Sequence, residues 1–87
     1  MDLDHLLERF FGQADLATLT PEALVAGTER LRLQFGLERD PGRRFALWSL
    51  LYLLGIAPDV ATAFAEEEDR DAARDFMDMA DRELNAP

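Results

Sequence analysis

Two residues of this chain could take part in nucleophilic or imidazole chemistry, His5 and Ser49. The sequence holds no cysteine, which excludes a thiolate metal site and a cysteine nucleophile. A zinc site needs several nitrogen or sulfur ligands, whereas His5 has only Asp4 and Glu8 near it on a predicted helix. Ser49 lies inside an apolar segment, where we expect its hydroxyl to bond a carbonyl one turn back. No spacing brings a nucleophile, a base and an orienting group together, so we expect a non-enzymatic protein without a cofactor.

Carboxylates offer a second possible chemistry, because oxygen ligands suit Ca²⁺ and Mg²⁺. Asp71, Asp75 and Asp78 share one face of a predicted C-terminal helix. The Asp-x-Asp-x-Asp-Gly pattern of a calcium-binding loop does not occur, so no metal site is predicted. Two interpretations of these acids remain open: a solvated helix face, or a surface that docks on a basic partner.

The predicted electrostatic docking surface consists of six acidic residues: Glu66, Glu67, Glu68, Asp71, Asp75 and Asp78. Three arginine–carboxylate pairs have the i, i+4 spacing that stabilises helices: Glu66–Arg70, Arg74–Asp78 and Asp78–Arg82. These pairs leave most of the negative charge unbalanced. Helix stability alone therefore does not explain the acidic residues.

Charge is unevenly distributed along a chain whose formal net charge is −9. Residues 1–58 hold eight acids and six arginines, a net −2, and residues 59–87 hold ten acids and three arginines, a net −7. A surface of this sign repels phosphate backbones, so we expect no direct binding to nucleic acid.

Arg39, Arg43 and Arg44 form a basic stretch around the start of a predicted helix. Helix N-termini attract anions, so these arginines could bind one there. Alternatively, they could pair internally with Glu38, with Asp40 or with the acidic last helix. The sequence leaves both interpretations open.

The elements that must position these residues are helices. Fifteen Leu and thirteen Ala against two Val and one Ile favour an all-α fold. Nine of the ten residues from Phe45 to Leu54 are apolar, and they cover the whole circumference of a helix at about 41–55, which predicts a buried helix. We therefore predict a single domain over residues 1–87, a small four-helix bundle-like fold with this central apolar helix packed by three amphipathic helices.

Local signals place the other elements. Helices are predicted at about 2–11, 20–36 and 67–84, with a short turn through 60–64. Thr20 and Asp40 each precede a proline, the pattern of a helix cap followed by the first helical residue. Gly12 and Gly36 are predicted to end helices. Gly27 lies inside one, where glycine costs about 1 kcal/mol relative to alanine, and it predicts a close approach of a neighbouring backbone.

Location follows from the same composition. The apolar segment from Phe45 to Ala57 has thirteen residues, fewer than the roughly 20 that span a bilayer. The chain starts with acidic rather than basic residues, unlike a signal peptide. We expect a cytoplasmic protein of bacterial origin, with no membrane association.

A surplus of apolar residues predicts the function. Val25 and Leu33 lie off the apolar stripe of their helix, and Met79 lies off that of the last helix. Trp48 and Tyr52 belong either to the core or to an interface, which aromatic residues often anchor. A two-fold homodimer would cover these side chains. We expect a protein–protein interaction module that self-associates. The alternative is an acidic regulator that docks on a nucleic-acid-binding or other cationic protein, and a carboxylate- or metal-dependent enzyme ranks below both.

Overall fold

The computed structural model describes residues 3–13 and 15–84, and over those residues it contains helices and no strands, which confirms the predicted fold class. The elements are α1 (Leu3–Phe11), a 3₁₀ turn (Leu16–Thr18), α2 (Pro21–Leu37), α3 (Pro41–Leu53), α4 (Val60–Ala63) and α5 (Glu67–Leu84). α3 lies in the middle and contacts α1, α2 and α5, as predicted for the central helix. The short turn predicted after the central helix is α4.

Two helices begin with the predicted side-chain caps. The Thr20 hydroxyl accepts a hydrogen bond from the N–H of Ala23 at 3.1 Å, at the start of α2. The Asp40 carboxylate accepts one from the N–H of Arg43 at 3.0 Å, at the start of α3. Each cap satisfies an amide that has no partner inside its own helix, and the following proline has no N–H to satisfy.

Glycine ends α1 as predicted but does not end α2. Gly12 has a φ of 82° and Gly55, just after α3, has a φ of 80°. Among the described glycines these are the ones with positive φ. Gly36 is helical, and α2 continues through Leu37 to a cap at Glu38, whose backbone is extended. The predicted stop at Gly36 is therefore wrong, because this glycine does not use the left-handed conformation that ends a helix.

A close crossing joins α1 to α2. A Cβ atom added to Gly27 would lie 2.7 Å from the carbonyl oxygen of Phe10 and would overlap the ring of Phe11. The same Phe10 carbonyl accepts a hydrogen bond from Nη2 of Arg30 at 2.9 Å. The predicted close approach at Gly27 is confirmed, since no larger residue leaves room for the end of α1.

The core surrounds the middle of α3. Leu47–Leu51 are all buried, and five consecutive helical residues face every direction around the axis. The Trp48 indole N–H donates to the Pro58 carbonyl at 3.0 Å, so the loop after α3 satisfies its polar atom. The end of α3 is different, because Leu53 is exposed. The predicted burial thus holds for the middle of the helix and is wrong for Leu53 at its end.

Arg44 fastens three chain segments together. Its Nη1 donates to the carbonyls of Phe35 at 2.8 Å and Glu38 at 3.2 Å, and its Nη2 donates to that of Ala63 at 2.7 Å. Its guanidinium carbon also lies 4.1 Å from the centroid of the Phe35 ring, a cation–π distance. The start of α3 is thereby tied to the end of α2 and to α4.

Candidate interaction surface

Large apolar side chains that reach solvent define the candidate site. Among the described residues they are Leu24, Val25, Leu33 and Leu37 on α2, Leu53 on α3 and Met79 on α5. Isolated exposed apolar residues are normal in monomers, so the informative question is which of these lie together. Four of these six residues belong to α2, more than to any other helix in the described part of the chain.

A groove lies between α2 and the chain that leaves α3. Its lining residues are Leu24, Val25, Thr28, Glu29 and Arg32 of α2 with Leu54 and Ile56, and its volume is about 370 Å³. We call it the α2–α3 groove. α2 turns Gly27, Leu31 and Phe35 inward, which leaves the groove residues beside that buried stripe. Leu54 and Ile56 enter the site only because the chain folds back after α3, so sequence spacing did not indicate them.

The charged residues of the α2–α3 groove have opposite signs. Glu29 and Arg32 are three residues apart on α2, and both are exposed. They form no ion pair with each other or with any other residue in the described part of the chain. The groove therefore presents one unpaired carboxylate and one unpaired guanidinium beside an apolar lining.

The predicted interface residues of α2 do not lie on one surface. Val25 lines the α2–α3 groove, whereas Leu33 and Leu37 lie outside its lining and are 65% and 67% exposed. Eight helical residues separate Val25 from Leu33, which is about 12 Å along the axis and about 80° around it. The structure thus divides this part of the predicted site into two patches.

Trp48 and Tyr52 stack on each other, with ring centroids 5.5 Å apart and planes 17° apart. Trp48 is 1% exposed, so it belongs to the core and is withdrawn from the predicted interface. Tyr52 is half-buried, and its hydroxyl donates to Oδ1 of Asp81 at 2.7 Å. This hydrogen bond, with smaller contributions from desolvation and from the nearby carboxylates, raises the pKa of Tyr52. Tyr52 therefore joins α3 to α5.

The predicted docking acids lie on the solvent side of α5 and just before it. Glu66, Glu67, Glu68, Asp71, Asp75 and Asp78 are all exposed. Residues 66–69 also line a shallow hollow with Pro41. Met79, the last of the five predicted interface residues, is exposed on the same helix, has acidic neighbours in the sequence and lies outside the lining of the α2–α3 groove.

The arginines of α5 do not neutralise these acids as the i, i+4 spacing predicted. Arg70 donates to the carbonyls of Phe64 at 3.1 Å and Ala65 at 2.8 Å, and Arg82 donates to the backbone oxygen of Asp78. Arg74 pairs with Asp71 at 3.2 Å, one turn back. The three predicted pairs are wrong, because nearby carbonyls and Asp71 take the guanidinium groups. Within α5 as described, Asp71 is the one carboxylate in an ion pair with an arginine.

The basic stretch is largely used inside the molecule. Arg44 binds backbone carbonyls, and Arg43 lies 3.9 Å from the Glu38 carboxylate. Arg39 is exposed and has no ion pair in the described ranges. Arg43 therefore pairs internally, as one of the two interpretations predicted. Arg44 is also bound internally, but its partners are carbonyls rather than carboxylates.

His5 and Ser49 are not among the residues that line the α2–α3 groove. The Ser49 hydroxyl donates to the Phe45 carbonyl at 2.9 Å, the bond predicted one turn back. His5 is exposed on α1. Over residues 3–13 and 15–84, no three His, Asp or Glu side chains are placed to hold a metal ion. In the same ranges no helix combines the length and the apolar character that crossing a bilayer requires.

Comparisons of the chain with protein-family models, with curated proteins and with solved structures gave no match.

Proposed function

We propose that this protein is a non-enzymatic helical interaction module whose partner is a second copy of itself, bound through the α2–α3 groove. The main support for this proposal is the groove, where the exposed side chains of Leu24 and Val25 lie beside Leu54 and Ile56. Covering such a surface removes apolar area from water, which is the main favourable term in most protein association.

The charges around the groove favour a second copy as the partner. Two chains that each carry −9 repel one another over most approaches. A face with one carboxylate and one guanidinium adds no net charge to the contact. Across a two-fold axis, the carboxylate of one copy can face the guanidinium of the other, whereas two acidic sides of α5 would repel each other.

Matched substitutions test this proposal. Val25 and Met79 are 58% and 53% exposed, so neither contributes strongly to the core, and they lie on α2 and α5 respectively. We expect Val25→Glu to weaken the dimer about tenfold or more, because it places a charge in the apolar contact. Met79→Glu adds the same charge elsewhere and should leave the dimer unchanged.

Sedimentation velocity over a micromolar to millimolar concentration series provides the measurement. The supporting result is a wild-type mass that rises from 9.8 kDa toward twice that value, with Val25→Glu held at the lower mass. A wild-type protein that stays at 9.8 kDa throughout contradicts the proposal. Equal weakening by both variants would assign the effect to net charge instead of the groove.

A second candidate function has its own observation. Arg70 and Arg82 of α5 donate to backbone oxygens and form no ion pair with the exposed carboxylates of that helix in the described part of the chain. We propose as the alternative that this side of α5 docks on a basic surface of a nucleic-acid-binding or other cationic protein. Such docking depends on long-range attraction and weakens as salt increases.

A cationic peptide of about 20 residues is a suitable probe for the alternative, with its affinity measured at low and high salt. Asp75→Asn/Asp78→Asn should weaken binding more than Glu22→Gln/Asp59→Asn, a pair that removes the same charge from exposed positions outside α5. Equal losses for the two pairs would show that net charge, not this surface, attracts the probe. Binding that is insensitive to salt would also rule the alternative out.

A further inference from the structure

Four exposed residues of α2 form one line along its outer side. Val25, Glu29, Arg32 and Gly36 follow the i, i+4, i+7, i+11 spacing, and all four are exposed. This is the spacing at which one helix packs along another in a coiled-coil contact. We call these residues the α2 seam. Three of them line the α2–α3 groove, and Gly36 continues the line past its end.

Gly36 has no explanation within one molecule. Glycine in a helix is unfavourable relative to alanine, by about 1 kcal/mol at an interior position such as Gly27 and by less at Gly36, the next-to-last residue of α2. Gly27 is required because Phe10 and Phe11 lie against it, whereas a Cβ added to Gly36 would meet nothing within 4 Å. A missing side chain at a solvent-facing position leaves a space on the surface of the helix.

Glu29 and Arg32 are similarly unexplained. Their spacing of three residues permits an ion pair within the helix, and the structure does not form one. The seam therefore reads, in chain order, as an apolar side chain, a free negative charge, a free positive charge and a space. The apolar end of the seam therefore matches the space at its other end, and its negative charge matches its positive charge.

We infer that two α2 helices pair antiparallel across a two-fold axis between Glu29 and Arg32. Each Glu29 then faces the partner's Arg32, and each Val25 fits the space at the partner's Gly36. This inference rests on the proposed self-association and specifies its register. The axis generates every contact twice, so four seam residues per chain provide two ion pairs and two apolar contacts.

Other registers do not match the seam. Parallel pairing places each residue against its own copy, so Glu29 meets the partner's Glu29 and Arg32 meets the partner's Arg32. Sliding the antiparallel pair by one heptad sets Val25 against the partner's Glu29. Both arrangements place a charge against a like charge or an apolar group, so they are less favourable than the matched antiparallel register.

A charge swap tests the ion pairs directly. Glu29→Arg alone and Arg32→Glu alone each replace two opposite-charge contacts with two like-charge contacts, and we expect the dimer Kd to rise about tenfold. The double variant Glu29→Arg/Arg32→Glu keeps the composition and restores opposite charges across the axis. Its Kd should return to within about twofold of the wild-type value.

Gly36→Leu tests the contact with Val25. Because nothing lies near this position within one chain, leucine should raise the melting temperature of the dilute monomer through its better helix propensity. The same substitution fills the space that Val25 needs and should raise the dimer Kd about tenfold. A merely structural role for Gly36 predicts no change in Kd.

The outcomes separate the register from the proposed function. Recovery by the charge swap, together with a weaker Gly36→Leu dimer, supports the antiparallel seam. A wild-type dimer that Val25→Glu weakens but that the charge swap does not restore overturns the seam while self-association through the groove stands. A wild-type protein that is monomeric at every concentration overturns both.

Discussion

α2 and α5 are the two longest helices of the molecule, both pack on α3, and they present opposite kinds of surface to solvent. The outer side of α2 mixes apolar residues with charges of both signs, as at Val25, Glu29 and Arg32. That of α5 is dominated by carboxylates such as Asp75 and Asp78. A helix face of mixed character can be buried against its own copy, whereas a face of one sign requires a partner of the other sign or remains in water.

The arginines of the two helices also differ in whether they bind within the molecule. On α5, Arg70 and Arg82 bind carbonyls and so serve the fold. On α2, Arg32 contributes to no described ion pair or hydrogen bond and stays free for a contact with another molecule. Charge counts alone therefore do not locate an interaction surface, because a charged side chain that binds within the molecule is not available to a partner.

The largest predicted effect is a difference in the free energy of unfolding between a substitution on the inner side of α2 and one on its outer side. Gly27→Ala should lower the free energy of unfolding by about 1–3 kcal/mol, because the new methyl group overlaps Phe10 and Phe11. Gly36→Ala, the matched control on the outer side, should raise it by about 0.5–1 kcal/mol. Urea unfolding of the dilute monomer measures both. Similar effects at the two glycines would contradict the close crossing of α1 and α2.

The next effect compares one arginine on each helix. Arg70→Met should lower the free energy of unfolding by about 1 kcal/mol, because the carbonyls of Phe64 and Ala65 lose a charged donor. Arg32→Met removes the same charge from α2 and should change stability by less than about 0.5 kcal/mol. The urea midpoints of the two variants, each compared with that of the wild-type protein, measure these changes in stability. A larger loss for Arg32→Met would show that the outer side of α2 already has an internal partner.

A smaller effect concerns repulsion within α5. Asp71 and Asp75 have the same charge at i, i+4 spacing, so Asp75→Asn should stabilise the protein by a few tenths of a kcal/mol at low salt. Salt near 1 M should remove the gain, since exposed charges are then screened. Glu29→Gln on α2 is the control and should give no gain. A gain for Asp75→Asn that persists at high salt would point to a cause other than charge.

The smallest effect is a pH dependence at the contact of α3 with α5. The hydrogen bond to Asp81 raises the pKa of Tyr52, so the folded state favours the protonated phenol. Its contribution to stability is complete below the ordinary tyrosine pKa of about 10 and is lost as pH rises through the higher folded value. Tyr52→Phe should therefore flatten the decline of stability above about pH 10. Thermal unfolding at a series of alkaline pH values tests this, and an unchanged slope would mean that Tyr52 does not cause the decline.

Local features of the fold were predictable from the sequence. The caps at Thr20 and Asp40, the stop at Gly12 and the Ser49 hydrogen bond depend on neighbours within one turn. The close approach at Gly27 was also predictable, because an interior helix glycine needs a compensating reason.

Features that depend on tertiary placement were not predictable. Nothing in the spacing indicates that Arg44 binds three carbonyls, or that Arg70 turns away from the acids beside it. The α2–α3 groove needs Leu54 and Ile56 to return beside α2, which follows from the turn after α3. Trp48 could have been core or interface, and only packing around α3 decides it.

Arg44 has a consequence for how the molecule opens. One side chain binds carbonyls at the end of α2 and in α4, a helix of four residues that is too short to persist alone. When α4 unfolds locally, Arg44 loses its bond to Ala63, and the carbonyl of Phe35 loses a stable donor at the same time. The last turn of α2 and the whole of α4 should therefore exchange their amide hydrogens as one cooperative unit, although 25 or more residues of sequence separate their centres.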